Sequence, residues 1–169
     1  MLATLKPAEA AAQAVLNAVR TDDGVLALPI DPVVIARGLG INVYHAPMPA
    51  SVSGYLIKKL TSGPDIFLNE NHSPVRQRFT CAHELGHYRK MFESDALPPD
   101  QYFFKRDNLA SCGIDDDEIY ANQFAAELLM PRDAVTDLMA QGLERFEVAR
   151  RLHVSPDALG HRLTNLRLG

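Results

Sequence analysis

Only two cysteines occur in the 169 residues, Cys81 and Cys112. They are too few for a disulfide framework and suit reduced thiols. A long apolar run is also missing. The opening stretch MLATLKPAEAAAQAVLNAVR is rich in alanine, but Lys6, Pro7, Glu9 and Gln13 interrupt it, so it does not read as a secretory leader or a membrane span. A cytoplasmic protein without membrane contact is the expectation. Charge of one sign is scarce as well. The formal net charge is −4 and no extended basic run is present, so the overall balance points to neither nucleic acid nor an anionic membrane. No internal repeat, low-complexity tract or linker divides the chain. A composition of 47% hydrophobic and 22% charged residues is ordinary for a globular protein, and residues 1–169 read as one domain.

What is present is a change of period along the chain. Ala11, Ala12, Val15, Leu16 and Val19 recur at helical spacing, and Asp31 before Pro32 caps a second helix that ends near Gly38 and Gly40. These make up N-terminal helices over 1–40. INVYHA, SVSGYLIKKL and PDIFLNE are β-branched or aromatic runs separated by turn residues, which predicts a small three-stranded sheet over 41–70. Ser73-Pro74 starts a long helix, and Asp115 to Asp117 form the acidic N-terminus of the next, giving a helix pair within 74–130. Between them, Glu93 to Gly113 shows little periodicity and reads as a functional or mobile loop. Pro131 closes the pair, and residues 143–169 hold a last helical pair joined at Val154-Ser155. The expected fold is α+β, with the small sheet packed on a helix pair and further helices at both ends.

The first helix of that pair carries TCAHELGHYR, residues 80–89. Positions four apart share a helix face, so His83 and His87 can direct two imidazoles at one point, while Glu84 is rotated by about 100° from His83. In an H-E-x-x-H helix the two histidines bind zinc and the glutamate acts as general base on the metal-bound water. The plain alternative is two surface or satisfied core histidines. With six histidines and eight glutamates in the chain, a chance match is expected on the order of 0.01 times, which favours metal. A catalytic zinc needs a third protein ligand and an open position. EIYANQFAAELLMP offers Glu118, with Asn122 four residues on and on the same face, placed to bond a ligand imidazole. Glu118 could instead serve only the helix dipole. Glu127 is a rival ligand, although it lies on the opposite side of the helix and could be a solvent-facing charge near Arg132.

RFTCAHELGHYRKM, the following EIYANQFAAELLMP and the preceding IFLNENHSPVRQR together resemble the ImmA/IrrE family of metallo-endopeptidases over roughly residues 30 to 165. The resemblance implies an endopeptidase with one zinc ion per chain, His83, His87 and Glu118 as ligands and Glu84 as the catalytic glutamate. It also implies a protein substrate, typically a DNA-binding repressor or antitoxin-like protein, cut to change transcription under stress. The related thermolysin-like class has aspartate where this chain has Asn122, and Cys81 stands where an aliphatic residue is more usual. Cys81 is read as a small buried hydrophobe. The oxyanion-stabilising donor stays open among Tyr88, Tyr102, Tyr120, His45 and His72.

Two further expectations concern partners. The strand DIFLNE runs into the motif helix. At a sheet edge it would pair with an extended peptide through Ile66, Phe67, Leu68 and Asn69; the alternative is a strand paired only within the sheet. The end of the chain, FEVARRLHVSPDALGHRL, resembles a helix-turn-helix, with His153 at the position of a turn glycine. A DNA-binding regulator with a structural metal is therefore the second functional reading, with Arg150, Arg151 and Arg162 as the cations best placed to meet phosphates. Residues 143–169 hold five arginines against three acids, a slight excess where DNA readers show a basic stripe. Direct DNA binding is not expected.

Overall fold

A computed structural model describes residues 6–58, 62–93, 102–107 and 116–168. The elements, in order, are α1 (Pro7–Val19), α2 (Pro32–Gly38), β1 (Asn42–Ala46), β2 (Val52–Lys58), β3 (Pro64–Asn69), α3 (Pro74–Glu93), β4 (Tyr102–Asp107), α4 (Asp116–Leu129), α5 (Arg132–Ala140), α6 (Arg145–Leu152) and α7 (Pro156–Leu166). The α+β architecture matches the expectation. The three strands read from the sequence are present, and a fourth, β4, lies within the stretch between the two motif helices. The rest of the expected loop, 94–101 and 108–113, falls outside the described residues.

Local chemistry explains several helix starts. The Asp31 carboxylate accepts hydrogen bonds from the amides of Val33 and Val34, and the Ser73 hydroxyl accepts one from the Arg76 amide. Each uses an amide that the first helical turn leaves unbonded. At the join of α6 and α7, His153 takes a left-handed conformation (φ 53°), the geometry that glycine usually supplies at a helix C-terminus.

The sheet order is β1-β3-β2-β4. β3 runs parallel to β1, with Tyr44 opposite Phe67, and antiparallel to β2, with Tyr55 opposite Phe67. This corrects the edge-strand expectation. Both edges of β3 are occupied, and an incoming peptide cannot add to it; among the described residues the outer strands are β1 and β4. Ile66, Leu68 and Asn69 are buried, and the Asn69 side-chain amide donates to the carbonyls of Met48, Pro49 and Val52. Phe67 stacks between Tyr44 and Tyr55, at centroid distances of 5.2 and 4.9 Å. These four residues build the sheet rather than a peptide-binding edge.

Leu56, Ile66 and Leu68 face the core, and α3 lies across that side of the sheet. Gly54 allows the approach: a Cβ there would stand 2.5 Å from the Phe67 carbonyl oxygen and 2.7 Å from Thr80 Cγ2. On its other side α3 packs against α4, which in turn packs against α1. The C-terminal pair buries Val148, Ala149, Leu152, Leu159, Leu163 and Leu166.

Two expectations about charge are corrected here. Glu127 is no solvent-facing residue but is 1% exposed, and Arg162 is 3% exposed. Arg162 donates from Nη2 to Glu127, from Nη1 to Glu9 (3.3 Å) and from Nε to the Met130 carbonyl (3.0 Å), and Gln13 adds a further bond to Glu127. The guanidinium is therefore unavailable to a phosphate. It ties α7 to α1 and α4, because a buried charge must be paired and fully hydrogen-bonded. Arg150 and Arg151 are exposed.

Substitution at Gly86 tests the helix packing. A Cβ on this residue would lie 2.9 Å from Ala121 Cα and 3.2 Å from Phe124 Cβ. Gly86→Ala should lower stability by about 1–3 kcal/mol as α3 and α4 are forced apart, read from urea unfolding midpoints; an unchanged midpoint would show that the helices separate freely.

Candidate metal centre

The middle of α3 is a helix interior made of polar groups. Thr80, His83, Glu84 and His87 are all buried. Burial without compensation costs several kcal/mol for groups of this kind, so the helix tolerates them only where something satisfies them. Part of the answer comes from α4. Because Gly86 lets the two helices meet almost backbone to backbone, the first two turns of α4 lie over the imidazoles. His87 Nε2 is 3.1 Å from one Glu118 carboxylate oxygen, and His83 Nε2 is 3.3 Å from the other. The two Nε2 atoms are 3.0 Å apart, and the rings meet edge to face.

Asn122, one turn beyond Glu118, sits behind His83, with its Oδ1 3.0 Å from His83 Nδ1. An amide oxygen only accepts, so this contact places the proton on Nδ1 and leaves the Nε2 lone pair facing His87 and Glu118. When the two imidazoles are protonated, burial by itself would raise the Glu118 carboxyl, but their hydrogen bonds and charge outweigh it and hold the group well below the usual carboxylate range; a cation between the three groups would take the place of those protons. The centre therefore presents two imidazole nitrogens and an ionised carboxylate, with ligand atoms all within 4.8 Å of one another. Three electron-pair donors crowded this closely repel one another unless a proton or a cation lies between them, and two nitrogens with one carboxylate oxygen form a set that zinc accepts. The residues fit a metal.

Glu84 is fully buried, one position along α3 from His83. Cys81 is buried too, and burial pushes its thiol up to about 12, with Asp31 and Glu84 adding to the effect. A thiol that stays protonated at neutral pH is neither a nucleophile nor a metal ligand. Glu127, the rival ligand, lies in the Arg162 network instead. Among the open oxyanion donors, His72 has its Nε2 3.1 Å from the Ala50 carbonyl oxygen, Tyr88 packs on the core, and the Tyr120 ring lies under the Lys90 ammonium at 5.3 Å. His45 is exposed on β1, and the Tyr102 side chain is outside what the structure describes. Gly86, which in the sequence leaves room for another element to approach the motif helix, is where α4 meets α3.

An H-E-x-x-H helix joined by a carboxylate from the following helix is the arrangement of metallopeptidases. Comparison with known proteins agrees. Residues 36–164 match the IrrE N-terminal-like domain, a peptidase family. The chain is 35% identical over 94 residues to the radiation response metalloprotease IrrE of Deinococcus deserti, covering 53% of this chain and 32% of that protein. To the protein of the same name in Deinococcus radiodurans it is 32% identical over 107 residues, covering 59% and 30%. To the uncharacterized immunity region protein 2 of Bacillus phage phi105 it is 33% identical over 101 residues, covering 60% and 59%. The chain belongs to the IrrE N-terminal-like domain family, and it spans about a third of the length of the two Deinococcus relatives. The His-His-Glu group that could hold a metal lies within the matched residues. Among the described residues no helix is long and apolar enough to cross a membrane.

Two substitutions separate the carboxylates. Glu118→Ala should sharply lower metal occupancy measured by elemental analysis. Glu127→Ala should leave occupancy near wild type while costing about 3–5 kcal/mol of stability, since it strands the buried Arg162. The reverse pattern of metal loss would reassign the ligand. Asn122→Ala, which removes the acceptor behind His83, should weaken metal binding or activity roughly 10- to 100-fold with the fold retained.

Proposed function

We propose that this chain is a zinc-dependent endopeptidase in which His83, His87 and Glu118 hold one metal ion and Glu84 is the general base. The observation that carries the reading is the convergence of His83 Nε2, His87 Nε2 and the Glu118 carboxylate within 3.3 Å, beside a buried glutamate on the same helix. When bound, the metal supplies Lewis acidity, polarising a peptide carbonyl and acidifying water toward neutral pH. Glu84 takes a proton from the attacking water as its oxygen adds to the carbonyl carbon. It then passes that proton to the amine as the carbon–nitrogen bond breaks, with no covalent link to the chain. Asn122 keeps His83 in the tautomer that presents Nε2.

The substrate is proposed to be a protein, in particular a DNA-binding repressor or antitoxin-like regulator whose cleavage changes transcription under stress. The family resemblance of the sequence supports this, as does a relative named for a phage immunity region. A cytoplasmic location and a single domain spanning 1–169 go with the same reading.

The test is Glu84→Gln, which keeps the shape of the side chain and all three proposed ligands. It should retain one zinc per chain by elemental analysis. It should also lose at least on the order of 10²-fold in cleavage of a repressor encoded beside it, followed by mass spectrometry with and without chelator. Cleavage at the wild-type rate would remove Glu84 from the mechanism.

A further inference from the structure

A groove of about 2120 Å³ opens beside the metal centre, between the N-terminal half of α3, the outer side of α4 and the face of α7. Its inner end reaches Thr80, one helical turn before Glu84, and Asn122, the latter behind His83. The Thr80 side chain is 1% exposed, and its hydroxyl has no hydrogen-bond partner among the described residues. A buried hydroxyl left this way is costly unless a ligand completes it.

The walls are chemically sorted. Val75, Phe79, Ala126 and Ala158 give a half-buried apolar floor. Arg162 and Glu9 also line the groove but are paired with each other. Arg76 lines it as well and donates to the Ser53 hydroxyl. The rim also carries Lys6, Arg132 and Arg167, all exposed, against one exposed carboxylate, Asp157. On a chain with a net charge of −4, this is a local reversal of sign, and a concave wall lined by one sign of charge concentrates counter-charged partners. Duplex DNA fits it poorly, because DNA readers present a protruding helix or strand to the duplex rather than a concave groove.

We propose that this groove seats a segment of the protein substrate in which apolar side chains alternate with aspartate or glutamate, holding the chain as it enters the metal centre. The apolar side chains fill the floor, the carboxylates meet the rim, and a backbone group of the segment bonds the Thr80 hydroxyl. The inference rests on the peptidase reading above and gives its site a substrate class.

The experiment uses the full chain carrying Glu84→Gln, loaded with zinc, so that binding is read without turnover. Two fluorescein-labelled ten-residue peptides are titrated by fluorescence anisotropy: one alternates leucine and phenylalanine with aspartate and glutamate, the other keeps the apolar residues and replaces the acids with lysine. The acidic peptide should bind at least about tenfold more tightly than the basic one, and less tightly as salt rises. Adding Arg132→Glu and Arg167→Glu together should remove most of that preference; both residues are exposed, so thermal unfolding should be unchanged. Equal binding of the two peptides, or an acid preference that survives the double reversal, would overturn the assignment. So would displacement of the acidic peptide by a 20-base-pair duplex that binds more tightly, which would give the rim to phosphates. A negative result leaves Glu84-dependent hydrolysis by the wild type standing. Charge-selective binding in a chain that cleaves nothing would overturn the peptidase reading and with it the groove's role as a substrate seat.

Discussion

The close approach of α3 and α4 at Gly86 is the constraint on which the rest of the structure depends. Any side chain at this position would meet Ala121 Cα at 2.9 Å, so glycine is the residue that allows the helices to touch. Once they touch, spacing along α4 does the rest. Ala121 and Phe124 supply the contact, while Glu118 and Asn122, on an adjoining stripe of the same helix, fall over the two imidazoles. A wider helix pair would leave His83 and His87 buried without their carboxylate, a state that the low dielectric of the interior makes expensive.

The same approach places a second set of buried charges further along α4. Glu127 points away from the metal centre and meets Arg162, which also reaches Glu9 and the Met130 carbonyl. A buried ion pair is a weak source of net stability, but breaking it is costly, and the best-attested use of such groups is to specify one arrangement among alternatives. Here the arrangement specified is the seating of α7 against α1 and α4. With α7 seated, one wall of the groove beside the metal centre is in place. The two glutamates of α4 are thus divided by direction: Glu118 in its first turn for the imidazoles, Glu127 in its last for the arginine that holds the C-terminal pair.

That division also explains why the helix-turn-helix resemblance of residues 143–169 is compatible with a different use. His153 makes the left-handed turn such motifs need, yet the apolar face of the pair is spent on the core, and Arg162 is spent on Glu9 and Glu127. The motif describes how two short helices join. It does not decide what they face.

Periodicity, caps and spacing determined much of this protein from the sequence alone. The boundaries of α2 and α3 follow from Asp31-Pro32 and Ser73-Pro74, the strands follow from their β-branched runs, and the pairing of His83 with His87 follows from the 3.6-residue repeat. All of these are local, set by neighbours within a few residues. Three things were decided only by tertiary structure: that β3 is central rather than at an edge, that Glu127 is buried against Arg162 while Glu118 reaches the imidazoles, and that Tyr102–Asp107 adds a fourth strand. Strand order depends on hydrogen bonds between segments distant in sequence. The fate of a charged side chain depends on which element arrives opposite it, as Arg162 reaches Glu127 from 35 residues away. A helical wheel places both glutamates on α4 correctly. It carries no information about what lies on either side of that helix, and the desolvation of a charge, which decides whether it pairs with a histidine or an arginine, is set by those neighbours.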